Sequence, residues 1–445
     1  MYLSDFNYYF DCPGGLFIFN SLASKEVFVK TDIKRSSLSF KSQNLIKVLQ
    51  KLNCRDFLQR TEVYDRAEIQ SVINDSLKTD YMYVKVLTTY DCNMACIYCY
   101  ENNNLFSRIT NHETLSPERC ENIISMLNQN MQKAHLKKIY FSWYGGEPLL
   151  NYNAILTISK GLMKLGYEVQ AEATSNLLVL EKNPTLIHAL KVAGIKLFSV
   201  TLDGYGDYHN KRRPMKNHKS DTNEYRLTCD LISNISEYFS VVVMLMINKN
   251  NINQTDMILD SLNKVKNKQN IHIFIGMLEN ISDCLSDPMI TETVSFQELT
   301  GIRCVLYKKF WDAGFPASSK YLLGLHGNCL AVTDNSCIIT PEGYITRCPD
   351  SIGDKNLYTG ILKRDKIIAN HDSLWKWANP IDDAKCQKCH MLPACLGGCT
   401  YTYIKSGKRN CQFYSRDGIN IQNEEALEFS LKYCFLSGYQ RDKID

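Results

Sequence analysis

The 445-residue chain contains no uninterrupted apolar run near the ~18 residues that a membrane-spanning helix needs. Residues 1–20 lack the basic start and apolar core of a secretory signal peptide. The 51 basic and 47 acidic side chains leave a net charge of only +4, too little to indicate binding to nucleic acid or a membrane surface. We therefore expect a cytoplasmic protein with a small or peptidic partner.

Cysteine, in contrast, is abundant. The chain has 18 cysteines and is too long for a small disulfide-bonded scaffold. Cysteine-rich cytosolic proteins bind metal more often than they form disulfides. Seven cysteines in apolar or helical contexts are expected to be buried small side chains: Cys12, Cys54, Cys120, Cys229, Cys284, Cys304 and Cys434.

Three cysteines lie on one short segment, as Cys92-x3-Cys96-x2-Cys99. Three thiolates on a [4Fe-4S] cluster leave one iron open, and the amino and carboxylate groups of S-adenosylmethionine can chelate it. Zinc is the alternative, but structural zinc sites need a fourth ligand and none lies nearby. At these residues the chain resembles the radical SAM superfamily, which cleaves this cofactor reductively. Tyr98, just before the third cysteine, suits a lid over the cluster edge.

The central part of the chain alternates strand and helix patterns. Predicted strands are Met82–Thr89, Lys138–Tyr144, Tyr167–Thr174, Ile195–Leu202, Ser240–Asn248 and Ile271–Leu278. Predicted helices are Pro117–Ala134, Ala154–Leu165, Pro184–Ala193, Glu224–Phe239, Thr255–Lys268 and Phe296–Ala313. This order predicts an α/β fold of parallel βαβ units, as either a partial barrel or an open sheet. The resemblance implies the partial (β/α)6 TIM-like barrel.

A glycine-rich turn follows the second predicted strand. Gly145-Gly146-Glu147-Pro148 resembles the Gly-Gly-Glu-Pro motif of radical SAM enzymes. Paired glycines allow close backbone approach to a ligand, and carbonyls with a nearby carboxylate suit an ammonium group. An ordinary strand-to-helix turn is the alternative. The resemblance implies that these residues hold the methionyl amino group.

Polar residues end the third and fourth predicted strands. Ser175 and Asn176 end the third, and Thr201-Leu202-Asp203-Gly204 ends the fourth. The latter is close to the Ser-x-Asp-Gly signature of the superfamily, with threonine in place of serine. The resemblance implies contacts from Ser175, Asn176, Thr201 and Asp203 to the ribose and carboxylate of the cofactor.

A histidine and two arginines follow this signature, at His209, Arg212 and Arg213. Arginine can hold a carboxylate through two hydrogen bonds, which makes Arg212 a further candidate for cofactor binding. The alternative is that the arginine pair is simply solvated.

A second group of cysteines follows the barrel region. Its members are Cys329, Cys337, Cys348, Cys386, Cys389, Cys395, Cys399 and Cys411. Their spacing resembles the SPASM domain, which in relatives holds two auxiliary [4Fe-4S] clusters. The resemblance implies a first cluster on Cys329, Cys348 and Cys399, with Cys337 as either a fourth ligand or a free thiol. It implies a second cluster on Cys386, Cys389, Cys395 and Cys411. One zinc ion held by Cys386, Cys389, Cys395 and Cys399 is the alternative.

Residues 337–348 read as a hairpin with its turn at 341–343. We expect this hairpin to bring the thiols of Cys337 and Cys348 close together. Asp350 lies just past it, near where some relatives carry a catalytic acid, and is a candidate base.

The predicted domains are an N-terminal region, the barrel, a helical bridge, a SPASM domain and a helical tail. Their ranges are 1–80, 81–285, 286–325, 326–415 and 416–445. In the first, strands at Gly15–Asn20 and Glu26–Lys30 precede helical patterns at Ser42–Leu52 and Glu68–Leu77. This small α+β region resembles the winged-helix element with which peptide-modifying radical SAM enzymes grip a leader peptide. An extension that merely supports the barrel is the alternative.

Three functions compete. The first is a maturase that installs a C–C cyclophane, ether or thioether cross-link in a ribosomally made precursor peptide. The second is a sulfatase maturase that forms formylglycine. The third is a non-catalytic iron-sulfur electron carrier or sensor, which the Gly145–Pro148 turn argues against. Either enzyme needs an external one-electron reductant such as flavodoxin or ferredoxin, three [4Fe-4S] clusters and S-adenosylmethionine.

Overall fold

The computed structural model describes most of the chain. The described residues are 1–4, 7–12, 14–20, 25–39, 41–59, 77–99, 113–216, 223–278, 285–316, 329–377, 398–407, 414–415 and 418–419. They form two compact units, one of residues 1–78, 318–332 and 378–445 and the other of residues 79–317 and 333–377. Within the described residues, no helix is both long and apolar enough to cross a membrane.

The N-terminal part of the first unit is a small α+β structure. Its elements are β1 (Tyr2–Leu3), β2 (Asn7–Cys12), β3 (Gly15–Asn20), β4 (Lys25–Lys30), α1 (Gln43–Lys51) and β5 (Leu58–Gln59). Strands β2, β3 and β4 form an antiparallel sheet, so the predicted pairing of the two N-terminal strands is present. Leu16, Ile18 and Val29 pack with Leu45 and Leu49 of α1 in a buried core. The predicted helix at 68–77 lies outside the described residues, apart from residue 77.

Six parallel strands form the centre of the second unit. They are β6 (Tyr81–Leu87), β7 (Lys138–Tyr144), β8 (Glu168–Thr174), β9 (Ile195–Leu202), β10 (Ser240–Met246) and β11 (Ile271–Gly276). They lie side by side in chain order. The α/β class and the parallel barrel sheet predicted from the sequence are confirmed, and the bounds of β7 and β9 are those predicted.

Helices connect these strands. They are α2 (Pro117–Lys133), α3 (Tyr152–Lys164), α4 (Leu178–Lys182), α5 (Leu186–Val192), α6 (Asp207–Arg212), α7 (Glu224–Ile235), α8 (Thr255–Leu262), α9 (Asp287–Glu292) and α10 (Phe296–Asp312). Ser116 caps α2 by accepting a hydrogen bond from the Arg119 N–H, and Ser295 and Glu298 form a capping box on α10. Four of these helices, α4, α5, α6 and α9, are short, with five to seven residues each.

The two faces of the parallel sheet differ in burial. On β9, Phe198, Val200 and Leu202 are fully buried, whereas Ser199 and Thr201 on the opposite face are half-buried. Because side chains alternate along a strand, the apolar face packs under the helices and the polar face lines the open side of the barrel. This face can therefore receive a ligand.

A seventh parallel strand extends the barrel sheet. Strand β12 (Ser336–Ile339) pairs with β6, and β13 (Tyr344–Thr346) folds back on β12 as the predicted hairpin. Strands β14 (Gly360–Lys363) and β15 (Lys366–Ala369) complete a ten-stranded sheet, and helix α11 (His371–Lys376) follows. The hairpin therefore belongs to the same sheet as the barrel strands.

The remaining described elements lie in the first unit. They are helix α12 (Thr400–Ser406) and the paired strands β16 (Tyr414–Ser415) and β17 (Gly418–Ile419). The predicted helical tail over 416–445 lies outside the described residues, apart from 418 and 419.

Candidate active site

The segment that carries Cys92, Cys96 and Cys99, the cysteine loop (residues 90–99), begins just after β6 ends. Parallel α/β sheets place their binding sites at this carboxyl edge. All three cysteines are half-buried, and the Met94 N–H donates to the Cys92 sulfur at 3.4 Å. Among the described residues, no three Cys, His, Asp or Glu side chains lie close enough to bind one metal ion. In a four-iron cluster each thiolate binds a different iron, and three cysteines on one loop provide such a donor set.

One side of the cysteine loop contacts the turn after β7. A Cβ atom on Gly145 would lie 2.2 Å from the Thr89 carbonyl oxygen, and one on Gly146 would lie 2.4 Å from that of Asp91. Gly145 also has φ +129°, a conformation that other residues rarely adopt. The Gly146 N–H donates to Thr89 O at 3.0 Å, and the Glu147 N–H donates to Asp91 O at 2.8 Å. The glycines are therefore required for two backbone segments to meet, independently of any ligand.

Residues 212–216, which we call the strap, run antiparallel along the cysteine loop. Three backbone hydrogen bonds join the two segments. The Ala95 N–H donates to Pro214 O (2.8 Å), the Ile97 N–H donates to Arg212 O (3.0 Å), and the Lys216 N–H donates to Asn93 O (2.9 Å). Met94 and Met215 form the central bridge. The Arg-Arg-Pro-Met-Lys sequence has no alternating pattern, so no sequence signal indicated this pairing.

The carboxylate of Glu147 is buried and holds the end of β8. It accepts hydrogen bonds from the Leu149 N–H (3.0 Å), the Ser175 hydroxyl (2.8 Å) and the Asn176 N–H (2.7 Å). Burial raises the pKa of Glu147 to about 7, although these donors favour the charged form. With Glu147 only 1% exposed, the structure makes this residue a brace for Ser175 and Asn176.

Asn176 in turn connects β8 to the cysteine loop. Its side-chain amide donates to Asn93 Oδ1 at 2.7 Å and lies 3.8 Å from the Cys92 sulfur. Its oxygen accepts from the Leu178 N–H at 3.1 Å. Leu177, between them, has φ +66° without being glycine, and its N–H donates to Ser175 Oγ at 2.9 Å. A strained turn therefore presents Asn176 to the cysteines.

Asp203 is fully buried at the end of β9. Its N–H donates to His209 Nδ1 at 3.2 Å, so the neutral imidazole carries its proton on Nε2. Burial lowers the pKa of His209 to about 3 and raises that of Asp203, while Arg213 opposes the rise. The Asp203 carboxylate lies 3.9 Å from Arg212 Nε. Asp203 is therefore placed to hold the strap arginines.

Tyr98 lies between those arginines. Arg213 Nη1 donates to the Tyr98 hydroxyl at 2.6 Å. The guanidinium carbon of Arg212 lies 5.3 Å from the centre of the Tyr98 ring, and Arg212 Nη1 lies 3.3 Å from Glu292 Oε2. Burial raises the pKa of Tyr98 well above its ordinary value, so the hydroxyl stays protonated at neutral pH. Sequence reasoning placed Arg212 near the cofactor but assigned no role to Arg213.

The predicted residues therefore fall into two groups. Glu147, Asp203 and Arg212 are buried, whereas Tyr98, Gly146 and Thr201 are partly exposed around the cysteine loop and the open barrel face. Pro148 is buried at the start of the turn after Glu147, where its carbonyl oxygen accepts from the Thr88 hydroxyl at 3.0 Å. The assignment of both groups to the cofactor stays a prediction.

The two hairpin cysteines lie at the ends of the hairpin arms, Cys337 on β12 and Cys348 just past β13. Ile338 pairs with Thr346, so Cys337, one residue earlier, lies opposite Arg347, one residue later. Cys348 lies two residues past the end of β13, at the start of a short 3-10 helix at Pro349–Ser351. Burial raises the pKa of the Cys337 thiol to about 11, and the positive charge of Arg347 opposes this rise. The expectation that the hairpin brings these two thiols together stays a prediction.

The other predicted cluster ligands lie in the first unit. Cys329 and Cys399 are exposed, and the Cys399 sulfur caps α12 by accepting from the Thr402 N–H at 3.5 Å. Cys386, Cys389, Cys395 and Cys411 lie outside the described residues. Their assignment to auxiliary clusters stays a prediction.

A row of polar side chains crosses the open barrel face below the cysteine loop. Lys85 on β6, Ser142 on β7 and Glu172 on β8 are paired in register. The Lys85 ammonium lies 4.4 Å from the centre of the Tyr144 ring, and the Tyr83 hydroxyl donates to Glu172 Oε1 at 3.0 Å. Burial lowers the pKa of Lys85, while the charge of Glu172 opposes the shift. No sequence motif indicated this row.

Asp350 lies at the edge of this region. Its Oδ2 is 3.6 Å from the Cys348 sulfur. The negative charge of Asp350 opposes the lowering of the Lys85 pKa that burial causes. The structure therefore places the candidate base beside the polar row.

Comparison with known proteins identifies the central segment. A family model described as the Radical SAM superfamily matches residues 86–262. These residues form a radical SAM domain. The segment includes β6 to β10, the cysteine loop, the glycine turn and the strap. Radical SAM enzymes use a [4Fe-4S] cluster and S-adenosylmethionine, and the donor set of the cysteine loop fits such a cluster.

Relatives extend beyond the radical SAM domain. The chain is 20% identical over 340 residues to the radical SAM cyclopropyl synthase TigE of Paramaledivibacter caminithermalis, covering 71% of this chain and 67% of that protein. It is 22% identical over 344 residues to a cysteine-type anaerobic sulfatase-maturating enzyme of Clostridium novyi, covering 69% and 85%. A solved structure of native anSMEcpe with bound AdoMet and Cp18Cys peptide has a TM-score of 0.56 at 12% identity, covering 81% of this chain and 98% of that one. This last likeness concerns the fold alone.

Proposed function

We propose that this chain is a radical SAM peptide maturase that cross-links a ribosomally made precursor peptide. The observation that carries the proposal is the cysteine loop at the carboxyl edge of the barrel, fixed by the glycine turn on one side and the strap on the other. When bound, the cluster and S-adenosylmethionine supply a 5′-deoxyadenosyl radical that abstracts hydrogen from the substrate. The similarity to TigE and to a sulfatase-maturating enzyme supports a peptide or protein substrate.

The residues divide the work between holding the cofactor and shaping its surroundings. Cys92, Cys96 and Cys99 hold the cluster, and the turn at Gly145–Pro148 lies against their loop. Thr201 offers a hydroxyl on the open face for the cofactor's polar groups. Gly145, Gly146, Glu147 and Pro148 are proposed to hold the methionyl amino group, and Glu147 also supports Ser175 and Asn176 through the hydrogen bonds that its carboxylate accepts.

The polar row below the loop is suited to a peptide. Lys85 and Glu172 present opposite charges on the open face, and Tyr144 and Tyr83 provide aromatic surface with hydroxyl groups. Such a surface binds peptide backbone and side chains by hydrogen bonds and stacking. Asp350 is retained as the candidate base, and its Asp350→Asn variant is expected to lose cross-linked product while cofactor cleavage continues. Product formation at the wild-type rate would remove Asp350 from this role.

Auxiliary clusters form the second part of the proposal. The SPASM-type cysteines are proposed to bind two further [4Fe-4S] clusters, the first through Cys329, Cys348 and Cys399. Cys337 is proposed as either the fourth ligand of the first cluster or a free thiol that leaves one position on that cluster open. Residues 1–80 are proposed to grip the leader of the precursor, since β2 and β4 are edge strands that can accept an extended segment.

Formylglycine formation is the second candidate function, favoured by the Clostridium novyi relative. The two enzymes differ in product. Cross-linking removes two hydrogens from the peptide and keeps every heavy atom, whereas conversion of cysteine to formylglycine loses sulfur and gains oxygen. Mass spectrometry therefore separates them.

The deciding experiment uses anaerobically reconstituted full-length protein with S-adenosylmethionine and a one-electron reductant. We expect 5′-deoxyadenosine to form, and none to form in the Cys92→Ala/Cys96→Ala/Cys99→Ala variant. Iron content should approach 12 per chain for three clusters, against about four if the downstream cysteines hold zinc. Co-expression with a short precursor encoded beside the gene should give a peptide lighter by two hydrogens. Absence of 5′-deoxyadenosine from iron-loaded wild-type protein would refute the proposal.

A further inference from the structure

Two cations contact the aromatic residue between the second and third cysteines. Arg213 donates to the Tyr98 hydroxyl at 2.6 Å, and Arg212 lies 5.3 Å from the ring centre. Both belong to the strap, whose backbone also pairs with the cysteine loop. Tyr98 is therefore held at its hydroxyl end and at its face by one five-residue segment.

The two arginines differ in their own partners. Arg212 lies near two carboxylates, at 3.9 Å from Asp203 and 3.3 Å from Glu292. Arg213 donates directly to Tyr98. The charge of Arg213 acts on Cys96 in the cysteine loop as well as on Asp203, whereas Arg212 lies against two carboxylates.

A tyrosine hydroxyl held this way fixes the ring, and the ring fixes the backbone between Cys96 and Cys99. Ile97, which precedes Tyr98, donates its N–H to Arg212 O at 3.0 Å. Partners that orient metal ligands from outside commonly change metal affinity or activity by roughly 10- to 100-fold when removed. The hydrogen bond is therefore in a position to control both loop geometry and cofactor fit.

We propose that Arg213 is a positioning residue of the radical SAM site, which holds Tyr98 for S-adenosylmethionine binding and stabilises the reduced cluster by its positive charge. The inference rests on the proposed function, because it requires a cluster on Cys92, Cys96 and Cys99. It adds a residue and an electrostatic role that the motif pattern does not assign.

The geometry and the charge can be separated by two substitutions. Arg213→Gln removes the charge and the guanidinium donor, whereas Tyr98→Phe removes the hydroxyl and leaves the charge. Both should weaken S-adenosylmethionine binding by about tenfold. Only Arg213→Gln should shift the midpoint potential of the cluster, because only this variant removes a positive charge. We expect a shift of about 59 mV in the negative direction, which for one electron corresponds to a tenfold change in the reduction equilibrium.

The test uses reconstituted full-length protein and two readouts besides turnover. The first is the S-adenosylmethionine concentration that half-saturates the change in the EPR signal of the reduced cluster. The second is the midpoint potential of that signal, isolated by subtracting the spectrum of the triple cysteine variant. Arg226→Gln is the matched control, because the Arg226 side chain is 83% exposed on α7. It should match wild type in both readouts.

The outcomes separate this inference from the proposed function. The Arg213→Gln/Tyr98→Phe double variant should bind S-adenosylmethionine no more weakly than either single variant, because both break one hydrogen bond. Additive losses, or wild-type S-adenosylmethionine binding in Tyr98→Phe, would overturn the inference. If Arg213→Gln fails to take up iron, the S-adenosylmethionine binding constant of Tyr98→Phe still tests the inference. Weaker binding supports it, and unchanged binding contradicts it. A wild-type protein without any cofactor-responsive signal would instead refute the proposed function.

Discussion

Tyr90 donates a hydrogen bond of 2.9 Å to Glu342. Tyr90 opens the cysteine loop two residues before Cys92, and Glu342 lies in the turn of the β12–β13 hairpin, 252 residues away in sequence. The hairpin that precedes Cys348 is thus bonded to the segment that precedes Cys92. The two regions that the sequence assigns to different domains share one sheet and this contact.

Removing this bond should loosen the start of the cysteine loop. Tyr90→Phe leaves the Glu342 carboxylate without this donor, and bonds to charged groups contribute about 1.5–3 kcal/mol. We expect a loss of about 1–2 kcal/mol in unfolding free energy, measured by denaturant titration, together with faster iron loss. Tyr81→Phe at the start of β6 is the control, since Tyr81 is exposed. Equal stability of Tyr90→Phe and wild type would show that the contact contributes nothing.

Glu147 should give the folded protein a distinctive pH dependence. Its pKa of about 7 lies above the ordinary 4.5, so the folded state binds its proton more tightly than the unfolded state does. Stability from this group is present below about pH 4.5 and falls as pH rises toward 7, by about 1.4 kcal/mol per unit at most. Glu147→Gln should remove this decline in unfolding measurements from pH 5.5 to 7.5. The exposed Glu181→Gln should leave it intact, and a decline that survives in Glu147→Gln belongs to another group.

His209 should act in the opposite direction. Its pKa of about 3 lies below the ordinary 6.5, so the unfolded state binds the proton first as pH falls. Its contribution to stability is present above about pH 6.5 and is lost toward pH 3, with about 1 kcal/mol gone between pH 6.5 and 5.5. His209→Asn keeps an acceptor for the Asp203 N–H but does not titrate, so unfolding between pH 7.5 and 5.5 should lose this slope. An identical slope in both proteins would contradict the assignment.

Local patterns predicted the central strands because burial alternates along them. On β9, bulky apolar residues at 198, 200 and 202 alternate with polar ones, and its bounds match the prediction. The first strand was predicted two residues too long because Thr88 and Thr89 suit a strand. In the structure their backbone pairs instead with residues 113–115, which return after a segment outside the described residues.

Long-range pairing was beyond the sequence pattern. Strand β12 joins β6 through pairs such as Ser336 with Tyr83, and nothing local in either strand specifies that partner. The pairing of the strap was not predicted for the same reason, because its partner, the cysteine loop, lies far from it in the sequence. Motif reasoning found Glu147 and Asp203 but assigned both to cofactor contact. Their burial depends on tertiary packing and lets both support neighbouring groups, and their contact with the cofactor stays a prediction.

Gly146 provides a direct test of how closely the turn and the cysteine loop must meet. Gly146→Ala would place its Cβ 2.4 Å from Asp91 O and 2.5 Å from Tyr90 O, and neither carbonyl can move without shifting the loop. We expect a cost of about 1–3 kcal/mol in unfolding free energy and loss of the cluster on Cys92, Cys96 and Cys99, seen by EPR.

Two other glycines separate this steric effect from the general consequences of adding a methyl group. Gly301 lies in α10 with nothing within 4 Å of the added Cβ, so Gly301→Ala should stabilise the helix by up to about 1 kcal/mol. Gly166 has φ +86° and open space, so Gly166→Ala should cost stability through backbone strain alone. Both should keep the cluster signal. If Gly146→Ala also keeps it, the close approach of the turn is dispensable and the glycines serve the cofactor, as the motif alone would suggest.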